Sequence, residues 1–179
     1  MDEPNSNTLR VLQFIQQNPG SHLRKIKKEL NLSMGTIQYH LNLLEKNSKI
    51  LSERHNLHRC YFPVGMFGNN EKNVLEVLNQ ETTREIILFI IEKNEPTQTD
   101  IVNHVNISAP SVSWQIKRLV DLGLINVITD GKYKRYQIIG DSNFIIKLMK
   151  NYHPAIWSVW TERLAETFLA MQKEQDGSK

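Results

Sequence analysis

The chain has 179 residues, 40% of them hydrophobic and 23% charged, and its net charge is +3. This is the composition of an ordinary globular protein with one large or two small domains. A single cysteine, Cys60, excludes an intrachain disulfide and indicates a reducing compartment. The most hydrophobic run, 86–91, is too short to cross a bilayer, and the first residues lack the pattern of a signal peptide, so we expect a cytoplasmic protein without a membrane partner.

The first 65 residues predict three helices and a hairpin. Apolar spacing predicts a first helix over 7–17, which Asn-Pro-Gly at 18–20 ends. Ser21 is expected to cap a second helix that reaches Leu30, and Ser33 to cap a third helix after a tight turn at 31–33. Two short strands are predicted at 49–52 and 59–62.

The same pattern returns 75 residues later. Without a gap, 8–61 aligns with 83–136, with identities that include Thr8/Thr83, Phe14/Phe89, Ile26/Ile101, Ser33/Ser108, Leu44/Leu119 and Tyr61/Tyr136. The repeat predicts helices over 83–93, 97–105 and 108–122. It also predicts strands over 125–129 and 133–139, joined at an Asp-Gly hairpin turn.

Three helices followed by a hairpin form a winged helix-turn-helix arrangement. We therefore predict a mainly α chain with small β-hairpin wings (α+β), built from two tandem winged-helix domains. The predicted divisions are a first domain over 1–65, a linker helix within 66–82, a second domain over 83–140 and a C-terminal helical extension over 141–179.

A family resemblance rests on three motifs. These are the repeated string Ser-x-x-(Ser/Thr)-(Ile/Val)-x-(Tyr/Trp)-x-(Leu/Ile)-x-x-Leu, Leu-Gly-Leu-Ile at 122–125, and Lys-Arg-Tyr at 134–136. They resemble the ArsR/MarR-type winged-helix superfamily, and the duplication resembles archaeal regulators with two such domains in tandem. The resemblance implies a DNA-binding transcriptional regulator. The first copy departs from the pattern at 47–50, where Asn47 is expected to take the left-handed conformation in place of glycine.

The two third helices are predicted to carry the DNA contacts. Ile37, Leu41 and Leu44 form the buried stripe of the first copy, so its opposite face is expected to read the major groove. Gln38 and Asn42 are suited to adenine, and Gly35 to close approach of a phosphate. The predicted contacts of the first copy are Ser33, Met34, Gly35, Thr36, Gln38, Tyr39 and Asn42; those of the second are Ser111, Ser113, Trp114, Lys117 and Arg118. A solvated face, or packing of Trp114 on its own chain, is the alternative.

Further contacts are predicted from basic residues. Residues 1–70 carry nine Lys or Arg against five Asp or Glu, whereas 71–139 carry eight against nine. Phosphate contacts are assigned to the second helix and to both wings, at Arg24, Lys25, Lys28, Arg54, His58, Arg59, Lys132, Lys134 and Arg135. The alternative for each cluster is a solvated charged face.

The C-terminal extension carries a stripe of large apolar residues. We expect it to cover the second domain's core or to form a homodimer interface through Trp157, Trp160, Leu164, Phe168 and Met171.

Neither a cofactor, a metal site nor an enzyme signature is predicted. The chain has no Gly-rich phosphate loop or nucleophile elbow. His55, His58 and Cys60 raise the question of a metal site, but backbone-contacting histidines and a half-buried cysteine explain them better. The rival to DNA binding is a winged-helix protein–protein adaptor, which the modest net charge, the acidic second unit and an exposed Trp114 favour. Single-stranded or RNA binding has little support, because no aromatic stacking platform repeats.

Overall fold

The computed structural model describes residues 6–55 and 58–176, and side chains over 6–54 and 59–165. The chain divides into two compact units, Met1–Gln80 and Glu81–Lys179. The first contains α1 (Ser6–Gln17), β1 (Ser21–His22), α2 (Leu23–Leu30), α3 (Met34–Lys46), β2 (Ile50–His55), β3 (His58–Pro63) and α4 (Asn69–Leu78). The second contains α5 (Glu81–Lys93), α6 (Gln98–Val105), α7 (Ala109–Asp121), β4 (Ile125–Asp130), β5 (Tyr133–Ile138), α8 (Ser142–Tyr152) and α9 (Pro154–Asp176). Both are winged helix-turn-helix arrangements, so the predicted fold class is confirmed.

One core pattern serves both units. The core cluster of the first unit is formed by Val11, Ile15, Ile26, Ile37, Leu41, Leu44, Ile50 and Tyr61. Each has a buried counterpart 75 positions later, namely Ile86, Ile90, Ile101, Val112, Ile116, Leu119, Ile125 and Tyr136. Burying one such side chain contributes roughly 1.5–3 kcal/mol. The repeated positions are therefore those that hold each unit together.

The first hairpin is longer than the sequence predicted, and the second agrees with its prediction to within one residue at each strand end. In the first unit β2 pairs antiparallel with β3 from Ile50↔Pro63 to His55↔His58. In the second unit β4 pairs with β5 from Ile125↔Ile138 to Asp130↔Tyr133, so the predicted Asp-Gly hairpin is confirmed. Gly131 takes φ +59° at this turn, a conformation that glycine adopts without steric cost.

A third strand was not predicted. The two-residue strand β1 pairs with β3 through Ser21↔Tyr61 and His22↔Cys60. The second unit has a single bridge at the position equivalent to His22, Thr97↔Arg135. Two residues are too few for strand periodicity to appear in the sequence.

Two local predictions were wrong. The cap of α2 is His22, whose Nδ1 accepts a hydrogen bond from the Lys25 amide (3.2 Å), while the Ser21 hydroxyl donates to the Asn18 carbonyl (2.7 Å). The left-handed residue after α3 is Ser48 (φ 52°) and not Asn47 (φ −86°). Ser48 aligns with Gly123 (φ 69°) of the second unit, so the position in the turn is kept although glycine is not.

Candidate nucleic-acid interface

The turn before α3 fixes where that helix begins. Asn31 ends α2 in the left-handed conformation, and Ser33 then caps α3 by accepting from the Thr36 amide (3.1 Å). Asn106 and Ser108 repeat this geometry before α7, with the same φ of 52° at the asparagine. The repeated Asn-x-Ser sequence therefore sets the helix-turn-helix angle in both units, and the predicted caps at Ser33 and Ser108 are confirmed.

The two faces of α3 differ sharply in exposure. Ile37, Leu41 and Leu44 are at most 3% exposed. The predicted reading face lies in the open, with Met34, Gly35, Gln38, Tyr39 and Asn42 all exposed. Tyr39 is 62% exposed, an unusual fraction for an aromatic ring in a free protein.

The first turn of α3 is open to close approach by a ligand. A Cβ placed on Gly35 meets no atom within 4 Å, so nothing in the fold requires glycine there. The first amides of a helix have no intrahelical acceptor, and Ser33 satisfies that of Thr36. The Ser33 hydroxyl also lies 2.7 Å from the Thr36 hydroxyl, so these two side chains satisfy each other. The Met34 and Gly35 amides therefore remain as the donors that a ligand could use at this helix end.

A partly buried hydrogen bond that the sequence did not reveal connects each third helix to the first helix of its unit. Thr8 Oγ1 lies 2.9 Å from His40 Nδ1 on α3, and His40 is only 2% exposed. In the second unit Thr83 Oγ1 donates to Gln115 Oε1 on α7, also at 2.9 Å. The Thr8/Thr83 identity was the available signal, but its partners differ in type, so alignment alone did not pair them.

The basic residues of α2 do not form one uniform cluster. Arg24, Lys27 and Lys28 are exposed. Lys25 instead donates to Asn79 Oδ1 (2.6 Å), and Asn79 donates to the Pro19 carbonyl (2.8 Å). Lys25 therefore ties α2 to the end of α4, whereas Lys28 and its two exposed neighbours face solvent.

The wing of the first unit places two like charges side by side. Arg54 and Arg59 are exposed and directly paired across β2 and β3. Like charges opposite one another destabilise a strand pair unless an anion lies between them.

Tyr61, on the same strand as Arg59, is also affected by its surroundings. Burial and then Glu45 raise the pKa of Tyr61, and the nearby Arg59 guanidinium opposes that shift. The predicted contact His58 is the first residue of β3, and its side chain lies outside the described residues.

The equivalent face of α7 is chemically different. Trp114 is 57% exposed, and Ser111 and Lys117 are exposed as well. Lys117 Nζ pairs with Asp121 Oδ2 at 2.8 Å, and Ser113 Oγ accepts from Gln98 Nε2 at 2.7 Å. Arg118, another predicted contact, is only 8% exposed. Most polar groups on this face are thus engaged within the unit, and the tryptophan dominates its free surface.

The second wing also uses its cations internally. Arg135 Nε pairs with Asp130 Oδ2 (3.0 Å), and its Nη1 donates to the Glu95 carbonyl (3.3 Å). Lys132 Nζ lies 5.2 Å from the centre of the Tyr133 ring. Lys134 is exposed and pairs across the hairpin with Thr129, so this wing has no counterpart of the Arg54/Arg59 pair.

The predicted dimerisation stripe is placed on α9. Trp160 is 5% exposed, and Trp157, whose ring centre lies 5.7 Å away, is half-buried, as is Leu164. The side chains of Phe168 and Met171 lie outside the described residues. Val159, at 67%, is the most exposed large apolar residue among the described side chains of this helix.

Two further features bear on function. Among the side chains that the structure describes, no group of three or more His, Cys, Asp or Glu is arranged to hold a metal ion. Over the described ranges, no helix is both long enough and apolar enough to span a bilayer.

Comparison with known proteins finds a helix-turn-helix match in each half of the chain. An N-terminal helix-turn-helix domain family matches residues 5–75, and a winged helix-turn-helix DNA-binding family matches residues 79–126. An uncharacterized HTH-type transcriptional regulator of Methanocaldococcus jannaschii is 28% identical over 134 residues, which cover 75% of this chain and 34% of that protein. The predicted resemblance to archaeal tandem winged-helix regulators is confirmed.

A second curated protein and a solved structure match smaller parts of the chain. A probable mercury resistance operon repressor of Streptomyces lividans is 38% identical over 58 residues, covering 32% of this chain and 46% of that protein. The crystal structure of the transcriptional repressor BigR from Xylella fastidiosa superposes with a TM-score of 0.42 at 16% identity, over 51% of this chain and 86% of that one. The chain thus spans less than half the length of either curated relative. Their names describe a transcriptional regulator and an operon repressor.

Proposed function

We propose that this protein is a transcriptional regulator that binds specific double-stranded DNA sequences through α3 of its first unit. One observation carries the proposal. The face of α3 opposite the core presents Gln38 and Asn42 in the open, beside a Gly35 backbone with free space around it. Glutamine and asparagine amides make paired hydrogen bonds to adenine in the major groove, which accommodates a helix of this width.

Charge around α3 supports the orientation of that contact. Exposed cations lie on α2 at Arg24, Lys27 and Lys28, and on the wing at Arg54 and Arg59. The DNA backbone offers phosphates on both sides of the groove, and a phosphate near the Arg54/Arg59 pair would remove their repulsion. The amides of the first turn of α3 provide a further anion contact. Bases are therefore read by α3, and α2 and the wing fix its position.

Selection of bound sequences from random duplex DNA tests the proposal. We expect enrichment of a motif that contains adenine at the positions facing Gln38 and Asn42. Gln38→Ala combined with Asn42→Ala should relax the preference, since each good bidentate contact contributes about 1–3 kcal/mol of discrimination. Lys28→Ala should instead weaken binding to all sequences. It should also reduce the slope of log affinity against log salt concentration by about 1. Lys147→Ala on α8 is the control and should change neither. Absence of duplex binding at low salt would refute the proposal.

A protein-contact role is the second candidate, and it applies to α7. Its support is the exposed Trp114 among polar groups that are already engaged, such as Lys117 with Asp121. Tryptophan is enriched among residues that dominate interface energies. Trp114→Ala should then leave DNA affinity unchanged while weakening capture of a partner protein. A loss of DNA affinity would assign α7 to DNA.

We also propose a homodimer that acts in the cytoplasm, where chromosomal DNA is accessible. Val159 offers an exposed apolar contact on α9, and two-fold dimers match operators with paired half-sites. Trp160→Glu is not a clean test, because it would place a charge at a buried position. Sedimentation equilibrium of the wild type over a hundredfold concentration range is suitable, and a monomer at every concentration would contradict the dimer.

A further inference from the structure

The outer face of α3 carries two large apolar side chains beside its two amides. Met34 is 39% exposed, and Tyr39, at 62%, is the most exposed large hydrophobic side chain among those described in the first unit. At about 100° per residue, Met34 lies about 40° to one side of Gln38 and Tyr39 about 100° to the other. Asn42 lies between Gln38 and Tyr39 on the same face. Two amides are therefore flanked by an apolar group on each side.

This face carries no charge that could read a G·C pair. Residues 34–44 contain no Arg, Lys, Asp or Glu, and the histidine among them, His40, is only 2% exposed. Guanine is bound most often by arginine or lysine, and the amino group of cytosine donates to a carboxylate. Thymine differs from the other bases in the major groove by its methyl group, which apolar side chains contact. The face therefore matches adenine through its amides and thymine through its apolar groups.

Contacts beneath Tyr39 hold its ring in position. The ring lies edge-on to the imidazole of His40, with the two centres 5.2 Å apart and the planes at 76°. His40 Nδ1 in turn lies 2.9 Å from Thr8 Oγ1 on α1, which ties the imidazole to the first helix. A side chain that is already ordered loses less conformational entropy on binding. Tyr39 is thus an exposed aromatic ring with a fixed support.

We infer that Met34 and Tyr39 contact thymine methyl groups, so that α3 reads thymine as well as adenine. The inference rests on the proposed function, because it names further base contacts of the same helix. Gln38 and Asn42 bind adenine, and the apolar groups on either side remove thymine methyl groups from water. Each buried methyl group raises the affinity about fourfold. Operators with G·C pairs facing α3 are bound more weakly, since neither base meets a charged partner.

Removal of single methyl groups from the selected duplex tests the inference. Each thymine of the motif is replaced in turn by deoxyuridine, which keeps the hydrogen-bonding edge and lacks only the methyl group. Fluorescence anisotropy with the full chain should show a Kd about fourfold higher at each contacted position, and about fifteenfold higher when two such positions are combined. Thymines in the flanking sequence should have no effect. An unchanged Kd with deoxyuridine at every position would overturn the inference.

Two variants assign the methyl contacts to residues. Met34→Ala and Tyr39→Ala each remove apolar surface from an exposed position on the outer face, away from the buried stripe. Each variant should become insensitive to deoxyuridine at one thymine position and keep its sensitivity at the other. Met66→Ala, also at an exposed position but outside α3, is the matched control and should keep the wild-type sensitivity at both. Wild-type sensitivity at every position in both α3 variants would place the methyl contacts on other residues and overturn the assignment.

The sequence selection separates a failure of this inference from a failure of the proposed function. The positions that α3 reads are those whose preference is lost in Gln38→Ala or Asn42→Ala. A motif with G·C pairs at and beside these positions would leave sequence-specific binding by α3 in place and overturn only the thymine contacts. Duplex binding without any selected motif would overturn both.

Discussion

Gly35→Ala should separate the stability of the first unit from its affinity for DNA. Glycine inside a helix is about 1 kcal/mol less favourable than alanine. The new methyl group meets no atom of the protein within 4 Å, so no steric cost offsets this gain. We therefore expect the variant to raise the free energy of unfolding of the first unit by about 0.5–1 kcal/mol.

The same methyl group should weaken DNA binding. If the first turn of α3 lies against a phosphate, the methyl group pushes the backbone amides out of hydrogen-bonding range. Loss of one such contact costs about 1.5–3 kcal/mol, or roughly a tenfold or larger rise in Kd. The rise should appear with every duplex sequence, because the contact is to the backbone.

Two measurements check the prediction. Fluorescence anisotropy with a selected duplex gives the affinity. All three tryptophans lie in the second unit, so amide hydrogen exchange of α3 is the better probe of first-unit stability. Asn70→Ala is the matched control, since it replaces the second residue of α4 as Gly35 is the second residue of α3. It should affect stability in the same direction and leave affinity unchanged. If Gly35→Ala is stabilised and still binds DNA like the wild type, α3 does not enter the groove by its first turn.

Three other changes test the second unit, each followed by tryptophan fluorescence during urea unfolding. Gly123→Ser should lower the free energy of unfolding by about 1 kcal/mol, because φ is 69° there. The new Cβ would meet no atom within 4 Å, so the loss is conformational and not steric. An unchanged urea midpoint would contradict this argument. Thr83→Val removes the hydrogen bond to Gln115 and should lower the free energy of unfolding by about 1 kcal/mol. Thr83→Ser keeps the hydroxyl and should lower it less. Equal losses in the two variants would mean that packing matters and the hydroxyl does not. Burial and then Arg163 lower the pKa of His104 below 6.5, so the unfolded state binds the proton more readily and stability should fall as the pH drops below 6.5. His104→Gln should lack that loss between pH 6.5 and 5.5, and a parallel loss in both proteins would refute it.

The core and the caps could be predicted because they depend on neighbours in the sequence. Helical spacing identified the buried stripe of Ile37, Leu41 and Leu44, and the 75-residue repeat confirmed it by a second copy. Ser33 and Ser108 were identifiable as caps because a cap bonds to an amide only three residues away.

Other features depend on which segments meet in space. Lys25 appeared equivalent to Lys28 in a basic run, yet it bonds Asn79, which is 54 residues away. Arg54 and Arg59 became a like-charged pair only when the hairpin register was known. The same holds for the two-residue strand β1 and for the hydrogen bond between Thr8 and His40. None of these leaves a local periodicity.

Residue spacing and the 75-residue repeat predicted two winged helices with one shared core pattern. They did so because burial selects residue type at fixed spacing, and the spacing was copied with the domain. The sequence also showed that the two outer faces differ in residue type, and the tertiary structure showed which of their side chains are exposed. That structure left Gly35, Gln38 and Asn42 open on α3, while on α7 it paired Lys117 with Asp121 and buried Arg118. The Lys117–Asp121 pair is local to one helix, but the burial of Arg118 arises from the folded arrangement of distant segments, so the sequence of α7 alone did not reveal it.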